Sequence, residues 1–188
     1  AHQIDTAKKI ILFPARMTSW KGQLEFIDVI KKMDTQNLLV LFAGDTKNES
    51  YTKLVRDKID KNNLTSICKI LGSVNQNEIR SLYQIADLSV SFPLRAEGFG
   101  RTISESLYSD TLVLAFEYGG VKNQLENLSE LFKVKPHDYQ ALPSKIEAIL
   151  SLTENLKKEV LKEAKLVIDK NFSKTNMLNK YLKLYESV

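Results

Sequence analysis

The sequence predicts an α/β fold: a Rossmann-like, doubly wound parallel sheet of about six strands, with helices on both faces and a helical C-terminal extension. Short apolar runs recur along the chain, helical patterns separate them, and after Pro143 the pattern is helical throughout. Continuous apolar runs are typical of strands covered on both faces, and a β-α-β succession implies parallel pairing. The length of 188 residues fits one domain.

The predicted strands alternate with helices along the chain. They are KIILFPA (9–15), LLVLFAG (38–44), ICKILG (67–72), DLSVSF (87–92) and TLVLAF (111–116), with LFKV (131–134) as a shorter sixth. Apolar residues from Phe26 to Met33 lie on one helical stripe, and residues 51–59 and 79–85 repeat that pattern. We therefore expect a helix after each of the first three strands.

Composition indicates a globular protein without a membrane span. The chain is 43% apolar and 27% charged, and no apolar run approaches the ~18 residues that a spanning helix needs. The first nine residues, AHQIDTAKK, are polar and charged, so we expect no signal peptide. The single cysteine, Cys68, lies in an apolar run, which favours a packed thiol and a reducing, cytoplasmic location. With only His2 and His137 as further soft ligands, a structural zinc site is not expected.

The net charge of +4 is mild, and most lysines lie on predicted helix faces. A solvated helical surface is the favoured interpretation, and nothing indicates a nucleic-acid partner. Attraction to an anionic membrane or to a phosphorylated ligand stays open.

Ligands of open parallel sheets bind at the carboxyl ends of the strands, so the loops that leave the strands are the candidate site. These loops are RMTSWKG (16–22), DTKNES (45–50), SVNQ (73–76), PLRAEGFG (93–100) and EYGGVKN (117–123).

The first loop carries two cations, Arg16 and Lys21, just before Gly22 opens a helix. Cations are favoured at helix C-termini, whereas the unpaired N–H groups of a helix start attract anions. Two cations at a helix start therefore suit an incoming anion, although two solvated side chains are an equal alternative.

The fourth loop carries two carboxylates, in RAEGFGRTISES (95–106). Glu97 precedes a Gly98-Phe99-Gly100 turn, and Arg101 and Glu105 follow it. For a helix that begins near Gly100, Glu105 stands roughly 7–8 Å beyond the helix start. Two carboxylates at that separation could hold opposite ends of one elongated ligand, although glutamates are also common on solvated helix faces.

The sequence lacks several motifs, and their absence argues against some classes of function. There is no G-x-x-x-x-G-K-[ST] motif, GFGRTI lacks the third glycine of the dinucleotide fingerprint, and no two aspartates stand two apart. We therefore expect neither a P-loop triphosphatase, nor a nicotinamide enzyme, nor a metal bridged by paired aspartates. In the fifth loop, Gly119-Gly120 is interpreted as a tight connection rather than a phosphate contact.

Three blocks carry a resemblance to a known family: ILFPARMTSWKGQLEFIDVI, LLVLFAGDTKNESYTKLV and LGSVNQNEIRSLYQIADLSVSFPLRAEGFGRTISES. In this order they resemble the C-terminal, nucleotide-sugar-binding domain of retaining GT-B glycosyltransferases of family 4, glycosyl transferases group 1, of the bacterial envelope and lipopolysaccharide type. The third block contains the family's E-x7-E signature. The blocks span most of residues 9–116.

The resemblance implies a retaining, metal-independent hexosyltransferase that needs no cofactor. Its donor would be a nucleotide-diphosphate sugar and its acceptor a glycan or a lipid-linked acceptor. Residues 1–188 would form the donor-binding domain, with the N-terminal acceptor domain absent and the isolated domain inactive. The implied location is the cytoplasm, with a peripheral contact at the inner face of the cytoplasmic membrane left open.

The resemblance also implies roles by position. Arg16 and Lys21 would bind the donor diphosphate and stabilise it as it leaves, and Glu97 would contact hydroxyls of the donor sugar. The backbone N–H groups of Gly98, Phe99 and Gly100 would hold the sugar and phosphate, and Arg101 belongs to the same donor-binding set. Glu105 would bind the ribose, and the LGSV turn (71–74) would line the base.

The sequence departs from the family pattern in two places. Asp110 and Leu112 replace a glycine and a proline, which puts the turn into the fifth strand in doubt, and Asn123 replaces a glutamate. These departures leave open a nucleotide-sugar-binding module without transfer activity. A nucleotide-sugar epimerase would need acid and base residues that the loops lack. A receiver-like module would need aspartates after the first strand, where the chain reads FPARM.

Overall fold

The computed structural model describes residues 4–186. His2, considered above as a metal ligand, lies outside the described residues. Six parallel strands form one sheet in the order β3-β2-β1-β4-β5-β6. The strands are β1 Lys9–Pro14, β2 Leu38–Ala43, β3 Cys68–Gly72, β4 Leu88–Ser91, β5 Leu112–Phe116 and β6 Lys133–Val134. The predicted fold class and the predicted strands are confirmed.

Helices connect the strands and extend the chain beyond them. They are α1 Gln23–Ile30, α2 Glu49–Lys61, α3 Gln76–Ile85, α4 Arg101–Tyr108, α5 Gly120–Leu125, α6 Leu142–Leu150, α7 Glu154–Phe172 and α8 Lys174–Glu186. Short 3-10 helices lie at Ser19–Lys21 and Glu130–Phe132. Within residues 4–186, no helix is both long and apolar enough to cross a membrane.

The alternation of side chains along β1 divides the core between the two faces of the sheet. Ile11 and Phe13 pack in the larger apolar cluster, with Phe26 of α1 and Val55 of α2. Ile10 and Leu12 pack on the other face with residues of α3. Because consecutive strand residues point to opposite faces, β1 is buried on both sides, as its continuous apolar sequence predicts.

The strand order reverses at β1 and β4. β1 pairs with β2 along its whole length and with β4 at Ile11–Leu88 and Leu12–Ser89. The chain moves from β1 toward β3 in one direction and from β4 toward β6 in the other, so the loops that follow β1 and β4 diverge from adjacent strand ends. A crevice at such a switch point is where ligands of this fold bind.

The turn into β5 forms despite the departures noted above. Asp110 adopts a left-handed conformation with φ of 61°, a region that glycine prefers but that aspartate tolerates. Its carboxylate accepts a hydrogen bond from Lys165 Nζ at 2.5 Å, and the Thr111 hydroxyl donates to the backbone oxygen of Tyr83 at 2.5 Å. β5 then begins at Leu112, the second of these two departures.

Gly22 fixes the path of the first loop. It precedes α1 with a φ of 86°, and a Cβ atom added there would lie 2.1 Å from the backbone oxygen of Phe92, just beyond β4. Glycine is thus needed both for the left-handed conformation and for the close approach of the two loops.

We expect Gly22→Ala to lower the free energy of unfolding by about 2–5 kcal/mol, because the left-handed penalty of ~1–2 kcal/mol adds to an overpacking cost of ~1–3 kcal/mol. Gly72→Ala is the matched control, since Gly72 has a φ of 78° but no atom within 4 Å of the added Cβ. It should lose only ~1–2 kcal/mol. Urea titration measures both, and equal losses would contradict a steric role for Gly22.

Candidate functional site

A cleft of about 510 Å³ lies at the carboxyl ends of β1 and β4. It is lined by Pro14, Ala15, Arg16, Trp20, Lys21, Ala96, Glu97, Gly98, Phe99, Gly100, Arg101, Thr102 and Glu105. Every residue that the sequence singled out as a candidate in the first and fourth loops is therefore on this one surface. The fold brings together residues that are about 80 positions apart in the chain.

Lys21 and Glu97 join the two loops across the cleft. The Lys21 Nζ atom forms an ion pair and hydrogen bond with Glu97 Oε1, and the two side chains are only 17% and 11% exposed. The Lys21 ammonium also lies 4.3 Å from the centre of the Trp20 ring, a cation–π contact. Sequence reasoning assigned the two residues to different parts of a ligand and did not foresee that they pair.

The other two cations of the cleft are free of carboxylate partners. Arg16 and Arg101 are exposed, and neither has a salt bridge within residues 4–186. Lys21 is paired with Glu97, so the remaining charged groups of the cleft are two guanidinium groups and the Glu105 carboxylate, which leaves an excess of positive charge. An arginine fork matches carboxylate and phosphate oxygens, so this surface suits an anion.

Glu105 lies on the first turns of α4 and faces α3. The Tyr83 hydroxyl donates a hydrogen bond to Glu105 Oε2 at 3.3 Å. Tyr83 is 2% exposed, and burial, followed by the neighbouring Glu105 charge, raises the pKa of its phenol. The phenol therefore stays protonated and available to donate its hydrogen bond to the Glu105 carboxylate.

A second groove, of about 340 Å³, adjoins the cleft between α3 and α4. It is lined by Gln76, Ile79, Arg80, Tyr83, Phe99, Arg101, Ser104, Glu105, Tyr108 and Ser109. Phe99, Arg101 and Glu105 border both cavities, so an elongated ligand could occupy the cleft and the groove together.

The fifth loop packs against the fourth loop. The N–H of Gly120 donates to the Glu97 backbone oxygen at 2.8 Å, and a Cβ atom added at Gly120 would lie 1.3 Å from the Gly98 oxygen. The Gly119-Gly120 pair therefore permits a close approach of two backbones, which fits the tight connection predicted for it. Its neighbour on α5, Gln124, donates hydrogen bonds to the backbone oxygens of Phe99 and Gly100.

Three polar residues at the site escaped the sequence analysis. Gln23 is fully buried, donates to the Arg16 backbone oxygen at 2.8 Å and accepts a hydrogen bond from the Tyr51 hydroxyl at 3.2 Å. Gln124 is also fully buried. Thr102 lines the cleft, and its buried hydroxyl has no hydrogen-bond partner within residues 4–186. For Gln23, the available signal was a polar residue at the first position of a largely apolar helix.

Among residues 4–186, Cys68 and His137 do not form a reactive site. Cys68 is buried in β3, and desolvation raises the pKa of its thiol to about 12. The His137 ring packs against the rings of Phe116, Tyr118 and Tyr139. Over the described part of the chain, no group of three or more His, Cys, Asp or Glu residues is placed to hold a metal ion.

The family assignment rests on a match along most of the chain. Residues 1–167 match the family model described as Glycosyl transferases group 1. The chain belongs to this family. Its six-stranded sheet, with the cleft at the β1–β4 switch point, corresponds to one half of a GT-B glycosyltransferase.

Relatives of this group 1 glycosyltransferase domain include trehalose synthases and solved glycosyltransferases. The trehalose synthase of Thermococcus litoralis is 30% identical over 193 residues, which cover 98% of this chain and 45% of that enzyme. A glycosyltransferase from Rickettsia africae superimposes with a TM-score of 0.85 at 33% identity, over 96% of this chain and 48% of that one. The chain thus spans about half the length of the relatives it matches.

A third comparison shows the same fold at lower identity. HepE from Anabaena, solved in complex with UDP, superimposes with a TM-score of 0.85 at 21% identity, over 97% of this chain and 50% of that one. The fold shared with these larger proteins is that of the half domain described here.

We expect Cys68 to be inert in the folded glycosyltransferase domain. A buried thiol with a pKa near 12 presents almost no thiolate at neutral pH, so maleimide labelling should be at least about 100-fold slower than in the urea-unfolded chain. Cys68 is the single cysteine, so intact-mass spectrometry reads its labelling directly. Labelling of the native protein at the unfolded rate would contradict the burial of this thiol.

Proposed function

We propose that this domain is the donor-binding half of a retaining glycosyltransferase, which transfers a hexosyl group from a nucleotide-diphosphate sugar to a glycan or lipid-linked acceptor without a metal. The observation that carries the proposal is the convergence of the Arg16–Lys21 loop and the Glu97–Glu105 segment on one cleft. One loop brings cations and the other brings two carboxylates separated by a glycine turn. An elongated ligand with an anionic centre and hydroxyl groups at both ends matches this arrangement.

The anionic centre would be the diphosphate. Arg16 and Lys21 face it from the first loop, and the backbone N–H groups of Gly98, Phe99 and Gly100 lie at the start of α4. Unpaired N–H groups at a helix start and the helix dipole both favour phosphate there. The unpartnered Thr102 hydroxyl is a further donor on the same wall.

The two carboxylates would recognise the ends of the donor. Glu97, beside Lys21, would accept hydrogen bonds from the sugar hydroxyls, and Glu105, oriented by Tyr83, would accept them from the ribose. The groove between α3 and α4 continues past Glu105 toward Gln76, next to the loop assigned to the base. The nucleoside would therefore lie in that groove and the sugar at the opposite end of the cleft.

Transfer would develop negative charge on the leaving diphosphate. Cations that are already positioned stabilise this charge without reorganisation, which is the electrostatic term that often dominates catalysis. Arg16 would supply such a charge directly and Lys21 would supply a second one after it turns from Glu97, so the proposal requires no divalent ion. Glu97, near the sugar, completes the catalytic set.

The relatives support a nucleotide sugar as the donor and do not identify the acceptor. Among the relatives are enzymes named trehalose synthase, and the HepE structures hold UDP and UDP-glucose on the same fold. The acceptor would bind to the other half of a longer protein, because this chain spans about half of its relatives. An envelope or lipopolysaccharide acceptor and a cytoplasmic, membrane-peripheral location belong to the proposal.

The experiment that tests the proposal is calorimetric titration of the domain with UDP, GDP and ADP, with and without a chelator. We expect one of the three to bind, and binding to persist in the chelator because the diphosphate contacts are arginine, lysine and backbone N–H groups. Raised melting temperature in the presence of the same nucleotide is the independent readout. No binding of any of them would overturn the proposal, and complete loss in the chelator would overturn its metal independence.

Substitutions in the cleft should separate the parts of the ligand. Arg16→Ala and Lys21→Ala should weaken nucleoside diphosphate binding by roughly 10- to 150-fold and nucleoside binding little, because charge-assisted bonds to phosphate contribute about 1.5–3 kcal/mol. Glu105→Ala should weaken nucleoside and diphosphate alike, since both contain the ribose. Glu97→Ala should lower affinity mainly for the intact sugar nucleotide.

The control for the cations is Lys32→Ala, an exposed lysine that lies outside the cleft. Lys21→Ala leaves the Glu97 carboxylate without its partner, so melting temperatures of all variants must be measured beside their affinities. Equal losses for nucleoside, diphosphate and sugar nucleotide in every variant, with an unchanged fold, would show that the residues were assigned to the wrong parts of the ligand.

A further inference from the structure

We propose that Gln124 is a positioning residue that holds the Glu97–Gly100 loop in its ligand-binding conformation, an inference that rests on the function proposed above. Gln124 lies on α5, outside the lining of the cleft, and is fully buried. Its side-chain amide contacts the Glu97–Gly100 loop from the α5 side. It would therefore act on a donor only through the loop.

The side-chain amide of Gln124 uses both its nitrogen and its oxygen. Nε2 donates to the backbone oxygen of Phe99 and, at 3.1 Å, to that of Gly100. Oε1 accepts a hydrogen bond from the Ser104 hydroxyl of α4 at 2.6 Å. One amide thus connects α5, the loop and the first turn of α4, and a carboxylate in its place could not donate to either carbonyl.

These bonds engage the carbonyl side of the loop. With the Gly120 N–H on the Glu97 oxygen, α5 donates hydrogen bonds to three of the four carbonyl oxygens of residues 97–100, and the fourth, that of Gly98, lies against Gly120. A peptide group that directs its carbonyl oxygen toward α5 directs its N–H the other way. Hydrogen bonds that hold the carbonyl oxygens toward α5 therefore direct the N–H groups of the loop away from α5, toward the cleft.

Without this clamp, the glycine turn would be free to rotate. Gly98 and Gly100 lose more conformational entropy on ordering than other residues, and Gly100 holds a left-handed φ of 73°. A loop that had to be ordered by the ligand would bind it more weakly, because the ordering cost would fall on the binding step. With Gln124 in place, the conformational entropy of the loop is lost when the protein folds and not when the ligand binds.

The test compares Gln124→Glu and Gln124→Met with wild-type protein. At about pH 8, the buried glutamate should be charged and repelled by the two carbonyl oxygens, and affinity for the nucleoside diphosphate should fall about 10- to 100-fold. At about pH 5.5, the protonated acid can donate again, because burial raises the pKa of such a group, and the affinity should return toward the wild-type value at that pH. Gln124→Met should stay weak at both pH values, and neither variant should change nucleoside binding more than about 2-fold.

Hydrogen exchange of the segment that contains residues 98–101 gives a readout that needs no ligand. Exchange should be faster in Gln124→Met, while Gln140→Glu, an exposed amide-to-acid control, should match the wild type in exchange and affinity. Unchanged exchange, or losses that are equal for nucleoside and diphosphate and independent of pH, would overturn the positioning role. A wild-type protein that binds no nucleoside diphosphate would instead overturn the proposed function, and faster exchange in Gln124→Met would still support the clamp.

Discussion

The placement of β1 between β2 and β4 is the constraint on which the site depends. Because β2 lies on one side of the β1–β4 pair and β5 lies on the other, the chain leaves β1 and β4 in opposite directions. The loops after these two strands diverge, and the space between them cannot be filled by backbone. The ion pair of Lys21 with Glu97 crosses this space, and the close approach of Gly22 to Phe92 narrows it. The cleft is thus a consequence of strand order, and its chemistry follows from the residues that each loop brings.

Two buried glutamines support the two loops in a similar way. Gln23 donates to the Arg16 carbonyl oxygen, and Gln124 donates to those of Phe99 and Gly100. A buried amide without partners would cost free energy, whereas each of these uses both its nitrogen and its oxygen. An apolar residue of the same size would fill the space without fixing the direction of a peptide group. We therefore interpret the two buried glutamines as residues that orient the backbones of the two loops.

The sequence predicted the strands well and the partners of the site residues poorly. The strands are continuous apolar runs between turn residues, so their positions follow from local pattern, and β6 was found although it has only two residues. Position after a strand was also enough to single out Arg16 and Glu97. Contacts such as that of Tyr83 with Glu105 depend on how α3 packs beside α4, which no local spacing encodes. The substitution at Asp110 looked disruptive because a glycine pattern does not show that aspartate tolerates the left-handed region.

The Lys21–Glu97 ion pair would couple two parts of the proposed donor site, the contact with the diphosphate and the contact with the sugar. Both side chains are largely buried, so an ammonium and a carboxylate that lacked partners would be costly in the ligand-free cleft, and the pair satisfies both. A diphosphate carries more charge than one carboxylate and would compete for Lys21. In the proposed donor complex, the ammonium would turn toward phosphate, the oxygens of Glu97 would become free to accept hydrogen bonds, and the neighbouring donors would be hydroxyls of the sugar. Recognition of the sugar by Glu97 would thus be coupled to recognition of the diphosphate by Lys21, because the two residues neutralise each other until a ligand that has both groups arrives.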